Sequence, residues 1–166
     1  MPDAEVFVLR PIRPADDAAM AAIIRAVMTE HGASGAGFAI HDAEVDHMSA
    51  AYRGDRARYF VVEHGGTVLG GGGFAPLAGP DADRTTCELR KMYFRPEARG
   101  KGLGRNLLAL LLDEMRQAGF RRCYLETFRT MQQAQKLYRA AGFRPQCSAE
   151  GATGHHGCDT FYAMVL

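Results

Sequence analysis

The chain has 166 residues, 47% of them apolar and 23% charged, which is enough for one folded domain with a buried core. Twenty basic side chains against nineteen acidic ones leave a formal net charge of +1, which excludes binding to nucleic acid or membranes through overall charge. No segment approaches the roughly 20 apolar residues that span a bilayer, and acidic residues near the N-terminus argue against a signal peptide. We therefore expect a single cytoplasmic domain over residues 1–166.

The first third of the chain predicts a strand followed by two helices. Residues 5–10 alternate as a half-buried strand does, and two prolines then end the pattern. Apolar residues recur at helical spacing from Met20 to Met28, which predicts an amphipathic helix. A loop over 32–39 with three glycines separates this helix from a weaker one predicted around 42–52.

A hairpin and a longer strand are predicted next. Strands at 59–63 and 67–69 flank a Gly-Gly pair, which is a two-residue turn signal. Four consecutive glycines at 70–73 weaken a strand and indicate a bulge or the close approach of another backbone or a ligand. Residues 85–94 then predict a strand that leads into a glycine-rich loop.

The second half predicts two helices that alternate with strands. A leucine-rich helix follows the loop and ends at Gly119, and a strand covers 122–127. Another helix ends at Gly142, and the last strand covers 159–166. The order βααβββαβαββ predicts an α+β fold with a mixed sheet, helices on both faces and one strand–helix–strand crossover.

The glycine-rich loop at 99–104 predicts a phosphate site. It opens a helix, where backbone N–H groups lack partners inside the helix and the helix dipole favours negative charge. Seven basic residues stand against two acidic ones between positions 84 and 105, although the whole chain is almost neutral. A bound phosphate explains both features, whereas a glycine loop that only makes a tight turn remains the plain alternative.

Two common phosphate-binding motifs do not fit this loop. A P-loop requires a hydroxyl residue after its lysine, but Gly102 follows Lys101. A dinucleotide-binding fingerprint that begins at Gly102 requires a third glycine where this chain has Leu107.

The same loop carries a resemblance to a known family. Residues 99–104 (RGKGLG) match the R/Q-x-x-G-x-G/A signature of the GNAT superfamily of acyl-CoA-dependent N-acetyltransferases. Residues 134–143 match its A-x-x-L-Y-x-x-x-G-F run, and the detailed similarity extends over 88–143. The resemblance implies a GNAT acyl-CoA N-acyltransferase fold with a mixed, mostly antiparallel sheet of about six or seven strands.

The resemblance also implies a reaction and its residues. Acetyl-CoA would donate its acetyl group to an amine within a ternary complex, without a metal, and Glu88 would be the general base and Tyr138 the general acid. A homodimer is expected on the same ground. The non-catalytic alternative is an acyl-CoA-binding or regulatory domain. The implied cofactor-binding residues are those of the strand end and the loop: Met92, Tyr93, Phe94, Arg99, Gly100, Lys101, Gly102, Leu103, Gly104 and Arg105.

Plainer interpretations stand beside these roles. Tyr138 lies on the apolar face of its helix, so it is also explained as a core tyrosine with a bonded hydroxyl. Glu88 is equally explained as the ion-pair partner of Arg90. Met131 replaces an asparagine that contacts the cofactor in many family members. The cluster His155, His156, Cys158 and Asp159 has metal-binding chemistry, but adjacent histidines on a strand face opposite ways, so a loop lining the acceptor site is favoured.

Overall fold

The computed structural model describes residues 5–166 and confirms the predicted order of elements. Residues 1–4, on which the expectation of no signal peptide partly depends, lie outside the described residues. No helix in the described part is long and apolar enough to cross a membrane. The strands are β1 (Val8–Pro11), β2 (Arg58–His64), β3 (Thr67–Pro76), β4 (Thr86–Phe94), β5 (Arg122–Thr127), β6 (Arg144–Gln146) and β7 (Thr160–Val165). The helices are α1 (Asp17–Glu30), α2 (Met48–Ala51), α3 (Leu103–Gln117) and α4 (Gln132–Ala141).

All seven strands form one sheet in the order β1-β2-β3-β4-β5-β7-β6. Every neighbouring pair is antiparallel except β4 and β5, which are parallel and are connected through α3. A parallel pair needs such a crossover, because the end of the first strand and the beginning of the second lie at opposite ends of the sheet. The predicted mixed sheet with one crossover in the second half is therefore confirmed.

Helices cover both faces of the sheet, as the helical spacing of apolar residues predicted. One core lies under α3, whose residues Leu107, Leu111 and Met115 are fully buried. The other lies under α1, where Met20 and Ile24 are fully buried. Burial of each such side chain contributes about 1.5–3 kcal/mol, so these two faces fix the helices on the sheet.

The four glycines at 70–73 lie inside β3, which is longer than predicted. A Cβ atom at Gly73 would lie 2.5 Å from a ring carbon of Tyr59, and one at Gly71 would lie 2.7 Å from another. The glycines therefore let the Tyr59 ring lie across the strand. The predicted close approach of another backbone is also present, because a Cβ would lie 2.5 Å from the Arg58 carbonyl oxygen at Gly73 and 2.7 Å from that of Phe60 at Gly71. The bulge in the pairing with β4 lies in β4.

The prediction of a helix around 42–52 is wrong in its length. Only Met48–Ala51 is α-helical, and two short 3-10 turns, Ala39–His41 and Ala43–Asp46, precede it. Asp42 and Glu44 both bind the ammonium of Lys91. Positions two apart on an α-helix do not face the same side, so a continuous helix could not bring both carboxylates to one ammonium.

Candidate active site

The sheet opens between β4 and β5. These strands pair only from Thr86 to Glu88, and beyond Glu88 they separate. On its other side β4 carries a bulge, because Gly71 lies opposite Tyr93 whereas Gly73 lies opposite Arg90. The separation leaves the end of β4 unpaired on the β5 side.

A cleft of about 480 Å³ lies beside this strand end. Its walls are the end of β4, the loop before α3, the first turn of α4 and the C-terminal turn of α1. All the predicted cofactor-binding residues except Lys101 and Arg105 line it, and so does Tyr138. The sequence motif and the strand end therefore meet around one cavity of the size that small ligands occupy.

The loop presents unused backbone donors to this cleft. Gly100 and Gly102 adopt φ values of 74° and 77°, which glycine tolerates best. The first hydrogen bond of α3 runs from the amide of Asn106 to the carbonyl of Gly102, at 3.1 Å. Within residues 5–166 no protein acceptor bonds the amides of residues 100–105. These N–H groups at the start of a 15-residue helix can bind an anion.

The basic side chains of the loop are engaged elsewhere. Arg99 makes a bidentate ion pair with Glu30 of α1, at 2.8 and 2.9 Å, and also donates to the carbonyl of Phe94. Lys101 donates to Glu5 at 2.6 Å, and Arg105 is exposed outside the cleft wall. The backbone therefore supplies the principal anion-binding groups of this site.

Tyr138 lies where the cleft meets a smaller cavity of about 40 Å³. Its ring packs edge-on against Phe143, with centroids 5.9 Å apart. Burial raises the pKa of Tyr138, which keeps the hydroxyl protonated at neutral pH. No hydrogen bond within the described residues engages that hydroxyl, in contrast to the bonded hydroxyl expected of a purely structural tyrosine.

Glu88 lines the same small cavity and is 2% exposed. It accepts a hydrogen bond from Arg90, so the ion pair that offered a plain explanation exists. Glu88, Glu126 and His155 each offer one atom that could bind a metal ion, a carboxylate oxygen or a ring nitrogen, and these atoms lie within 4.8 Å of one another. Each of the three already has a protein partner: Arg90 for Glu88, Thr153 and Tyr124 for Glu126, and Asp42 for His155.

A polar pocket of about 360 Å³ adjoins the small cavity and shares Glu88 with it. Three segments line it: residues 42–44, the β4 residues Glu88, Arg90 and Lys91, and Thr153 with His155. Ala43 is the one apolar residue of this lining. The large cleft and the small cavity thus share Tyr138 in their linings, and the small cavity and the polar pocket share Glu88.

Ion pairs organise the polar pocket. The Lys91 ammonium lies 2.6 Å from Asp42 and also contacts Glu44. Burial alone would raise the pKa of Asp42, but its bond to His155 and the charge of Lys91 outweigh burial and lower it. Burial would likewise lower the pKa of His155, but the Asp42 carboxylate, 2.8 Å away, raises it. Burial raises the pKa of Glu126, and the nearby Glu88 adds to the effect.

The predicted cluster near the C-terminus does not assemble. His155 bonds Asp42 in the polar pocket, and Cys158 lines the small cavity, where burial raises its pKa to about 12. His156 packs against Gly37, and Asp159 accepts a hydrogen bond from the amide of Arg129. His155 and Cys158 of this loop therefore line the cavities next to the cleft, whereas His156 and Asp159 do not.

Sequence reasoning missed several residues of this site. Asp42, Glu44 and Lys91 belong to no predicted motif, and Glu30 lies in a helix predicted only from its apolar face. One signal was available, since acidic residues at 42 and 44 in a segment of weak helical pattern indicate tertiary partners. Met131, the departure from the family pattern, lines both the cleft and the small cavity.

Comparisons with known proteins agree with this geometry. The sequence model of the acetyltransferase (GNAT) family matches residues 22–143. The "uncharacterized N-acetyltransferase YjgM" of Escherichia coli K12 is 41% identical over 153 residues, which cover 92% of this chain and 90% of that protein. The structure of yncA, a putative acetyltransferase from Salmonella typhimurium with its cofactor acetyl-CoA, is 27% identical, with a TM-score of 0.73 over 96% of this chain and 94% of that one. A GNAT-family acetyltransferase from Staphylococcus aureus Mu50 has a TM-score of 0.81 at 15% identity, over 96% of this chain and 99% of that one, and shows the shared fold.

Proposed function

Since this chain belongs to the acetyltransferase (GNAT) family, we propose that it transfers the acetyl group of acetyl-CoA to a polar primary amine by direct attack in a ternary complex. One observation carries the proposal. Unused amides of residues 100–105 border a cleft that shares Tyr138 with a small cavity, and this cavity shares Glu88 with a charged pocket. A non-catalytic acyl-CoA-binding domain gains no support, because the relatives are named as acetyltransferases.

The cofactor is proposed to lie along the large cleft. Its diphosphate would accept hydrogen bonds from the unused amides of residues 100–105, at the positive end of the α3 dipole. Its pantetheine arm would pair with the end of β4 over Met92–Phe94, where β5 has moved away. The thioester would then lie near Tyr138, at the junction with the small cavity.

Glu88 is the proposed general base. An alkylammonium has a pKa of about 10.4 and cannot attack until it loses a proton. The Glu88 carboxylate lies at the junction of the polar pocket and the small cavity, so it can take that proton. The cavity of about 40 Å³ also has room for one water, which occupies about 30 Å³ in the liquid and could relay the proton.

The remaining steps are bond exchange at the acetyl carbon. The amine nitrogen forms a bond to the carbonyl carbon, and the oxyanion of the tetrahedral intermediate accepts a hydrogen bond from the Met92 amide. The carbon–sulfur bond then breaks and the carbonyl reforms. Tyr138 donates its hydroxyl proton to the departing sulfur, whose thiol has a pKa of about 8.5. The nitrogen loses its second proton as the amide forms, and that proton returns to Tyr138. Protonation of the sulfur prevents the reverse attack.

The polar pocket is the proposed acceptor site. Its lining offers both carboxylates and cations, and a single apolar residue, so it suits a charged small molecule, an amino acid or a peptide amine. An acceptor in this pocket would reach the thioester through the small cavity, past Glu88. The proposal includes neither a nucleic acid nor a membrane partner.

We further propose a cytoplasmic location and action as one domain over residues 1–166. All four cysteines are free thiols, as in proteins of reducing compartments. The expected homodimer rests on the family resemblance alone, and light scattering coupled to size-exclusion chromatography tests it.

Cofactor binding and turnover test the function directly. CoA should raise the melting temperature, because a ligand present at 100 times its Kd stabilises the native state by about 2.7 kcal/mol. ATP and NAD at the same concentration should do less. Release of CoA thiol from acetyl-CoA, measured against a panel of polar amines, identifies the acceptor. Equal stabilisation by NAD, or no thiol release with any amine, would contradict the proposal.

Substitution of Tyr138 tests the general acid. Tyr138→Phe keeps the ring that packs against Phe143 and removes only the hydroxyl, which lacks a partner in the described residues. We expect kcat to fall by roughly 10- to 100-fold, the low end of acid–base contributions, because a thiolate leaves fairly readily without help. The Kd for CoA should change by less than about threefold, that is, by less than about 0.7 kcal/mol. Unchanged kcat would remove Tyr138 from the mechanism.

A further inference from the structure

Lys91 has an unusual backbone conformation in the centre of the site. Its φ is 49°, and no other non-glycine residue in the range 5–166 has a positive φ. It occupies the bulge of β4, where the register with β3 shifts, and it immediately precedes Met92 of the cleft wall. An L-residue adopts this conformation at a conformational cost, so the surrounding structure must hold it.

Tyr59 holds the carbonyl of this residue. The Tyr59 ring crosses the glycines of β3, and its hydroxyl donates a hydrogen bond of 2.6 Å to the Lys91 carbonyl oxygen. That carbonyl and the Met92 N–H belong to one peptide group, and no peptide bond in the described chain is cis. In a trans peptide the two groups point in opposite directions. A hydroxyl that fixes the carbonyl therefore also fixes the direction of the Met92 N–H.

Carboxylates hold the side chain of the same residue. The Lys91 side chain is 2% exposed, and its ammonium bonds Asp42 at 2.6 Å together with Glu44. Glu44 also accepts a hydrogen bond of 2.7 Å from Tyr52, and Asp42 also bonds His155. These carboxylates form one wall of the polar pocket. Two contacts thus hold Lys91 in the bulge. Tyr59 binds its carbonyl oxygen, and Asp42 and Glu44 bind its ammonium.

We propose that Tyr59 and Lys91 are positioning residues that aim the Met92 amide at the thioester carbonyl of acetyl-CoA. Neither residue touches the reacting atoms. Without these anchors the peptide is free to relax toward an ordinary extended strand, and the amide donor turns with it. The inference rests on the proposed function, because it assigns the Met92 amide to the oxyanion.

Tyr59→Phe is the cleanest test, because it removes one hydroxyl and keeps the ring. We expect kcat to fall by about tenfold, since loss of a whole oxyanion donor costs roughly 100- to 1000-fold and misdirection costs less. The Kd for CoA should change by less than about threefold, because CoA lacks the acetyl thioester carbonyl that the Met92 amide would bind. Infrared difference spectra of bound acetyl-CoA labelled with ¹³C at the carbonyl report the donor directly. The carbonyl band should move toward its frequency in free acetyl-CoA.

Lys91→Met tests the second anchor, with Lys136→Met on the exposed surface of α4 as the matched control. We expect the same loss of kcat and the same band shift in Lys91→Met, and neither change in Lys136→Met. Lys91→Met/Glu44→Gln separates positioning from stability, because it removes a carboxylate that the first substitution leaves without its ammonium. The double variant should recover melting temperature but not kcat.

Three outcomes overturn the inference. They are a carbonyl band that stays at its wild-type frequency in both single variants, wild-type turnover in both, or recovery of kcat together with melting temperature in the double variant. The proposed function fails differently, through a wild-type protein that neither binds CoA nor releases thiol. If Lys91→Met does not fold, the Tyr59→Phe spectra decide.

Discussion

The two ends of the site are built from different parts of the chain. The proposed cofactor end offers backbone amides from six consecutive residues, 100–105, in the loop and the first turn of α3. The acceptor end uses side chains from three separate segments, around Asp42, Glu88 and His155. The Asp42 and His155 carboxylate–imidazole pair joins positions 113 apart in sequence.

This difference predicts how each end fails. Backbone donors remain when a side chain is changed, so the cofactor end should tolerate the loss of a charged side chain. It should not tolerate added side-chain volume, because the backbone must stay close to the ligand. The acceptor end depends on paired charges in a partly buried place, where removal of one partner leaves the other unsatisfied. It should therefore tolerate small changes of volume but not loss of charge. The substitutions below test the contrast, from the largest expected effect to the smallest.

Glu88→Gln should have the largest effect. It keeps the volume of the side chain and removes the carboxylate that accepts the proton of the amine. We expect kcat to fall by about 100- to 10,000-fold, the range of general acid–base catalysis, with a Kd for CoA close to that of the wild type. The acidic limb of the pH–rate profile should also change, which steady-state kinetics across pH would record.

Glu114→Gln is the matched control for this substitution. Glu114 also pairs with an arginine, Arg58, but it lies on α3 away from the cleft. It should turn over at nearly the wild-type rate. An unaltered pH–rate profile in Glu88→Gln would mean that another group takes the proton.

Added volume at Gly104 should weaken cofactor binding. A Cβ there would lie 3.3 Å from Leu137 and 3.6 Å from Phe94, on the wall of the cleft. Gly104→Val adds further atoms, and an overpacking cost of about 1–3 kcal/mol corresponds to roughly a 10- to 100-fold weaker Kd for CoA by calorimetry. Gly104→Ala, the size control, should lose only a few fold in Kd. Equal CoA binding by both variants and the wild type would place the pantetheine arm elsewhere.

His155→Gln should have the smallest effect, because Asp42 keeps Lys91 as a partner, 2.6 Å away. That effect should depend on pH. Asp42 raises the pKa of His155 in the folded protein, so their pair stabilises the fold fully below the unfolded pKa of about 6.5. This stabilisation is lost as the pH rises through the folded pKa. Chemical denaturation should show a deficit in the free energy of unfolding of about 1 kcal/mol near pH 6 that shrinks near pH 8.5. His64→Gln, whose ring bonds the Val6 carbonyl on the surface, is the control and should show no such trend.

The elements of the fold were largely predictable from the sequence. Long periodic segments such as 103–115 identify buried helix faces without tertiary information, and their order identified the crossover. Two details failed for the same reason. The predicted helix at 42–52 is interrupted because its carboxylates bind Lys91, and β3 continues through the glycines at 70–73, where Gly71 and Gly73 leave room for the Tyr59 ring. Both depend on partners that are distant in sequence.

The candidate site divides along the same line. The sequence by itself determined the glycine-rich loop, the strand end before it and the tyrosine of α4, because contiguous residues at fixed spacing define a backbone anion site and its motif. Only the tertiary structure decided the bulge at Lys91, the pairing of Asp42 with His155 and the location of Glu88 between two cavities. Local sequence sets backbone conformation and helix ends, whereas the meeting of charged side chains from separate segments follows from how the sheet and its loops pack.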